Sequence, residues 1–257
     1  DTLVVEKGGS SGLFNTVTHS FTNASDGSVA LDPDGPGGTA ASTISYTGLE
    51  PVTTDNMDAA NRVFTFNFGA ETITLADIND VGGNNLRIDS DAGSAMLDFA
   101  NPAASLTINA GTGADTVTIS SIDAAYRAAL TIDGDADTDI VNLNAVLLLG
   151  STTSTGNLSV TAETINLGAN INTVGNVIIN AGGALNAAAG GLSGDGTADI
   201  TAKNVTMTGQ GIGSTNQIEI LGTTASSTLS LTTTDGAINV EELTTARFTT
   251  INLTIND

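Results

Sequence analysis

Apolar and polar residues alternate one by one in short runs along most of the chain. Four runs share a layout: Glu71-Thr72-Ile73-Thr74-Leu75, Asp115-Thr116-Val117-Thr118-Ile119, Asp139-Ile140-Val141-Asn142-Leu143 and Glu163-Thr164-Ile165-Asn166-Leu167. Each opens on an acid and sets aliphatic residues two apart, and the starts lie 44, 24 and 24 residues apart. A second pattern comprises Leu86-Arg87-Ile88-Asp89, Leu106-Thr107-Ile108-Asn109, Leu130-Thr131-Ile132-Asp133 and Leu158-Ser159-Val160-Thr161, with starts 20, 24 and 28 apart. Leu229-Ser230-Leu231-Thr232 and Ile251-Asn252-Leu253-Thr254 read as the same strand type. Period two over four or five residues marks a strand with one buried face. Clusters such as Ala110-Gly111-Thr112-Gly113-Ala114 and Gly134-Asp135-Ala136-Asp137 supply turns, because Gly, Asn and Asp tolerate positive φ. No window makes a convincing amphipathic helix; residues 241–248 come nearest and are few.

Short strands recurring every 20–28 residues predict a parallel β-solenoid, in which each repeat makes one coil and equivalent residues stack about 4.8 Å apart. Residues 64–255, at about 24 per coil, make roughly eight coils and close to 40 Å of rod. Ile73, Val117, Val141 and Ile165 are expected in one interior column, and Leu75, Ile119, Leu143 and Leu167 in another. A two-sheet sandwich also uses short alternating strands, but it gives no reason for a 24-residue spacing with the acid in register. The expected fold is therefore all-β, a parallel β-solenoid (β-helix) over residues 61–257. Residues 1–60 read as a less regular N-terminal β cap or linking region: Thr2-Leu3-Val4-Val5 and Val17-Thr18-His19-Ser20-Phe21 are strand-like but show no repeat register. The Gly/Ala stretch 181–191 reads as a slack turn or narrow coil.

Charge narrows the partners. Among 257 residues, 28 are Asp or Glu and 6 are Lys or Arg, a formal net charge of −22 although only 13% are charged. Such a surface disfavours nucleic acid and anionic lipid, whose phosphates are bound through Lys and Arg. No apolar run approaches the roughly 20 residues of a spanning helix, so no membrane insertion is expected. Without cysteine there is no disulfide, thiolate chemistry or Cys-built zinc site, and the single histidine, His19, excludes a multi-histidine centre. Hydrophobic residues make up 40% and aromatics 4%, so the core should be aliphatic. The chain opens at Asp1, as expected after removal of a leader or excision from a longer chain. Together with the Thr/Asn/Gly-rich composition, this suggests a secreted bacterial protein, extracellular or at the cell surface.

A resemblance sharpens that expectation. The run Ile44-Ser45-Tyr46-Thr47-Gly48-Leu49-Glu50-Pro51-Val52 is followed by Phe64-Thr65-Phe66-Asn67-Phe68, Phe99-Ala100-Asn101-Pro102, residues 106–119 and Leu130-Thr131-Ile132-Asp133-Gly134-Asp135. This order resembles repeat units of very large secreted, adhesin-like bacterial surface proteins over about residues 44–145. The remainder is similar to the β-helix of filamentous-haemagglutinin-type adhesins. The resemblance implies an extracellular structural or adhesive role without a common active site. Residues 110–118 also resemble one unit of the calcium-binding nonapeptide repeat, with Ala110 at the first Gly position. Such a roll needs tandem units, and here there is one.

The chemistry to weigh is the acidic column Asp115, Asp139 and Glu163, with Glu71 further along. In a 24-residue register these carboxylates lie near 5 Å apart, where two bare charges repel by about 3–4 kcal/mol at an effective dielectric of 20 and under about 1 kcal/mol in water. Asp133, Asp135 and Asp137 crowd the same turn. Ca²⁺, which takes six to eight hard oxygens, would relieve the repulsion; the alternative is a solvated acidic ridge. Asp32, Asp34 and Gly35 read as an ordinary turn before an ion loop, and His19 as a structural strand residue. Sequons at Asn23, Asn157, Asn204 and Asn252 make a surface glycan an expectation to check.

Three function classes follow. A β-helix polysaccharide-active enzyme would use paired carboxylates, yet sugar-stacking aromatics and bases are scarce, so no enzyme is expected. An ice-binding solenoid would use a Thr-x-Thr face, which Thr72/Thr74 and Thr116/Thr118 fit and Ile140/Asn142 and Thr164/Asn166 break. A structural building block of a surface fibre, matrix or adhesin fits best. Terminal coils expose strand edges, so self-association into head-to-tail filaments, or cover by adjacent repeats of a larger chain, is expected.

Overall fold

The computed structural model describes residues 2–5, 13–23, 25–48, 50–79, 85–91, 96–187, 194–243 and 248–256. Among these the protein is all-β, with no helix and three sheets of nine, eleven and five strands. Most neighbours run parallel. From Ile140 to Ala181 the chain visits the sheets in rotation: Ile140–Leu143 lies in the first, Leu147–Leu149 in the third and Leu158–Ala162 in the second. Thr164–Leu167, Ile171–Thr173 and Asn176–Ala181 then repeat that order, each parallel to its predecessor. The sheets remain open at their edges.

The 24-residue spacing sets this register. Ile73, Val117, Val141 and Ile165 stack as direct partners, as do Leu75, Ile119, Leu143 and Leu167, and all eight are buried. The alternation therefore puts aliphatic side chains inside on every pass. The 44-residue interval contains an excursion. Asn85–Ser90, expected as a stacked strand, instead pairs antiparallel with both Thr72–Asp77 and Leu97–Ala100 in the first sheet. Its place beneath Ser105–Asn109 in the second sheet is filled by Ala59–Phe66. Alternation identifies a half-buried strand in either setting but not its direction, which is why Leu86-Arg87-Ile88-Asp89 looks like a coil repeat.

Three N-terminal strands join the same second sheet, while Thr2–Val5 pairs parallel with Glu50–Asp55 in the first. Phe14–Phe21 runs parallel to Ala59–Phe66, Gly27–Asp32 pairs antiparallel with Phe14–Phe21, and Ser42–Tyr46 pairs antiparallel with Gly27–Asp32. Two reversals give Ser42–Tyr46 the direction of the parallel strands. One inward column crosses the whole sheet, from Ile44 through Val29, His19, Phe64 and Ile108 to Met207, Leu231 and Leu253. Its interior members are buried, whereas the end members Ile44 and Leu253 are 41% and 58% exposed.

Candidate functional site

The in-register acids form a ladder to the backbone. Glu71, Asp115 and Asp139, each just before a first-sheet strand, leave a turn as buried residues, and a buried N–H needs an acceptor. The next acid provides it. Asp115 Oδ1 accepts from the Glu71 amide at 2.7 Å, Asp139 Oδ1 from the Asp115 amide at 2.9 Å, and Glu163 Oε2 from the Asp139 amide at 2.9 Å. The carbonyls of Glu71, Asp115 and Asp139 accept in turn from the amides of Thr116, Ile140 and Thr164. Side chain and main chain thus stitch each turn to the next.

Burial dominates the electrostatics. Glu71, Asp115 and Asp139 are buried, and Glu71 Oε1, Asp115 Oδ2 and Asp139 Oδ2 make no hydrogen bond among the described residues. Desolvation pushes Glu71 up to about 7, with the Asp115 and Asp91 charges adding to it against the Ser90 hydroxyl. It raises Asp115 and Asp139 too, against the amide bond each accepts. A related pair lies later in the chain: Asp199 Oδ2 accepts from the Glu219 amide at 2.8 Å, and burial pushes Asp199 up to about 6. Glu219 in turn holds the amides of Asp195 and Gly196.

The remaining expected ligands lie outside this ladder. Asp133, Asp135 and Asp137 are exposed; Asp133 accepts from the Asp135 amide at 3.1 Å, and Asp137 from the Gly113 amide at 2.9 Å. The structure brings Asp115, Asp139 and Glu163 together as amide acceptors. Among the described residues, no three His, Asp or Glu side chains are grouped to hold a metal ion. The glycines of the nonapeptide-like turn have another reason to be there. Gly111 and Gly113 have φ of 85° and 125°, and a Cβ on either would overlap backbone of the turn below, at Phe66 and at Gly69.

Asp32 Oδ1 accepts from the amides of Asp34 and Gly35, the geometry of a local Asx turn. The sequon asparagines are engaged as well. Asn23 accepts from Ser25 and Asp26, Asn157 from the Asn176 amide, and Asn204 and Asn252 donate to Asn176 and Ser230.

A buried polar cluster is hidden from sequence reading. His19 Nε2 lies 2.8 Å from Asp55 Oδ2, and Arg62 Nη1 donates to the same oxygen at 2.5 Å. Arg62 Nη2 donates to the Met57 carbonyl, and its guanidinium lies 5.3 Å from the Phe99 ring centre. All three residues are buried, with His19 stacked between Phe21 and Phe64. Burial lowers the His19 pKa against the pull of Asp55, so the imidazole is neutral and Asp55 is paired chiefly with Arg62. The cluster ties three strands together inside the core.

The other exposed feature is apolar. Among the described residues, Phe248–Ile255 pairs on one side only, with Ser227–Thr233, at the edge of the second sheet. Ile251, Leu253 and Ile255 are 54%, 58% and 58% exposed. Together with Leu229, Leu231 and Ile238 they line a recess of about 400 Å³, where the core meets solvent. Comparison with protein-family models, curated proteins and solved structures finds no match to this chain.

Proposed function

We propose that the chain is a β-solenoid building block of an extracellular fibre, matrix or adhesin, joined head to tail with copies of itself. The observation that carries this reading is the column running from Ile44 to Leu253, buried along its length and exposed at both ends. The two end strands run in the same direction, so Ser42–Tyr46 of a second copy can add in parallel beside Phe248–Ile255. That addition would seat Ile44 of the second copy against Leu253 and cover an exposed apolar patch, the kind of surface that marks an interaction site. The contact is heterologous, and it propagates unless the rotation closes a ring.

Other observations agree. The rotation of the chain through three sheets in register is what coils of a solenoid require. The buried acids serve the backbone and offer no paired acid and base to a substrate, which favours structure over catalysis. Ca²⁺ enters this reading only through the exposed acids of residues 133–137.

A cross-link tests the joint. The chain has no cysteine, and ten strand spacings, about 48 Å, separate Ile44 from Leu253 within one copy. An Ile44→Cys/Leu253→Cys variant is expected to form a ladder of disulfide-linked oligomers on mild oxidation, because neighbouring strands meet disulfide geometry. Products no larger than those of the two single variants, with dispersed monomers by negative-stain microscopy, would overturn the reading.

A further inference from the structure

The outward face of the second sheet is used by neither the carboxylate ladder nor the apolar end. On the nine parallel strands from Phe14–Phe21 to Phe248–Ile255, alternate residues point away from the core and stack in register. The series begins with Thr16, Thr18 and Ser20 and ends with Thr250, Asn252 and Thr254. Across residues 16–20, 61–65, 105–109, 129–133, 159–161, 176–180, 204–208, 228–232 and 250–254, every outward residue is Ser, Thr or Asn except Val63, Ala129, Asp133 and Ile178. A chain with 28 acids thus places one carboxylate on this face, and no Lys or Arg. The Thr-x-Thr pattern sought on the first sheet is carried by the second, as at Thr206/Thr208 beside Ser230/Thr232.

The array is ordered before any ligand arrives. Its side chains are short, Thr is stiff at χ1, and neighbouring strands bond laterally. Ser105 donates to Asn61 at 2.7 Å, Asn109 to Thr65 at 3.2 Å, and Asn204 to Asn176 at 2.8 Å. The spacing is about 4.8 Å between strands and about 6.6 Å between alternate residues, over roughly 40 Å.

These properties constrain the ligand. It carries no net charge, because the face offers almost none. It presents groups that donate and accept alike, because hydroxyls and amides do both. It is extended and repeating, because each neutral hydrogen bond contributes little net and many must act together. Across those ranges the face lacks an aromatic side chain on which a sugar ring could stack, and Phe14 at its margin packs against the core, which favours a lattice of water over a polysaccharide. We propose that this face binds ice.

Freezing the full chain slowly onto a cold probe tests this. The wild-type protein is expected to become enriched in the growing ice over the liquid and to slow recrystallisation. Thr131→Lys/Thr206→Lys, which sets two charges into the array, should lose both effects while keeping the wild-type Tm. Asn166→Lys, on the exposed outer side of the first sheet, should keep both effects. Exclusion of the wild type from ice overturns the proposal, as does equal incorporation of the double lysine variant. Retention on insoluble cellulose or chitin without incorporation into ice also overturns it, in favour of a polysaccharide surface. Because Thr206 and Thr131 lie two and five strands in from Phe248–Ile255, loss of ice binding and loss of cross-linking are separate results.

Discussion

The carboxylate of Asp139 accepts a hydrogen bond from the backbone amide of Asp115, 2.9 Å away and 24 residues earlier in the chain. The bond needs an oxygen acceptor, and the negative charge adds a desolvation penalty in a buried site. Asp139→Asn retains the acceptor and removes the charge, so its stability at neutral pH should equal or exceed that of the wild type. Asp139→Ala leaves the Asp115 amide buried without its partner and should lose about 1–3 kcal/mol. Urea denaturation with and without EDTA separates this from a calcium site. There, chelation would lower wild-type stability and the Asn variant would be as weak as Ala.

The same burial predicts an unusual response to pH. Glu71 is raised from 4.5 to about 7 and Asp199 from 3.8 to about 6, while Asp115 and Asp139 are raised as well. A carboxyl whose folded pKa lies above its unfolded value binds more protons in the native state. Its contribution is full below the unfolded pKa and lost as pH rises through the folded one. Wild-type Tm should therefore gain on acidification from about pH 8 to about pH 5 relative to Glu71→Gln, which cannot titrate. His19 acts in the opposite sense below its ordinary 6.5, because burial keeps it neutral in the fold. The comparison between the two proteins cancels that common effect. A constant Tm difference across this range would contradict the assignment.

Close stacking of turns predicts a graded set of glycine effects. Gly111 and Gly37 share nearly the same positive φ, 85° and 88°, but a Cβ at Gly111 overlaps the Phe66 carbonyl whereas at Gly37 nothing lies within 4 Å. Gly37→Ala should cost about 1–2 kcal/mol from left-handed backbone alone. Gly111→Ala must also push two turns apart, and it should unfold at markedly lower urea or fail to fold. Equal midpoints for the two variants would show that turn stacking contributes little.

How much of this was legible in the sequence depends on the range of each signal. The columns through Ile73 and Leu75 follow from a constant spacing of short alternating runs, and the structure keeps that register. Asn85–Ser90 carries the same alternation but runs antiparallel to its neighbours, because strand direction is set by the turns around it. The recurring acids were visible, but their backbone partners were not. An amide has no sequence letter, so the spacing of the acids points to charge repulsion and does not reveal the hydrogen bond each one accepts. His19, Asp55 and Arg62 lie 36 and 7 residues apart with no repeat to link them, and only the fold brings them together. The neutral face of the second sheet emerges only when nine strands are aligned in three dimensions.

That buried cluster makes its own prediction. Asp55 is the counter-charge of Arg62, and its removal leaves a guanidinium inside the core beside Phe99. Asp55→Ala should lose about 3–5 kcal/mol, the usual consequence of breaking one side of a buried pair. Replacing Arg62 with Met at the same time removes the unpaired charge. The double variant should then regain most of the loss, and a denaturant double-mutant cycle over Asp55 and Arg62 measures the coupling.

The apolar end predicts a separation of folding from assembly. Leu231 and Leu253 are neighbours in one inward column, but Leu231 is 2% exposed and Leu253 is 58% exposed. Lysine at Leu231 would bury a charge among aliphatic side chains and should abolish folding. At Leu253 its ammonium reaches solvent directly, so stability should stay within about 0.5 kcal/mol of wild type, as for other exposed substitutions. If a second copy seats Ile44 there, the same charge lies inside the joint, and Leu253→Lys should remain monomeric in sedimentation at concentrations where the wild type assembles. A Leu253→Lys protein that is folded and still assembles would move the contact to another surface.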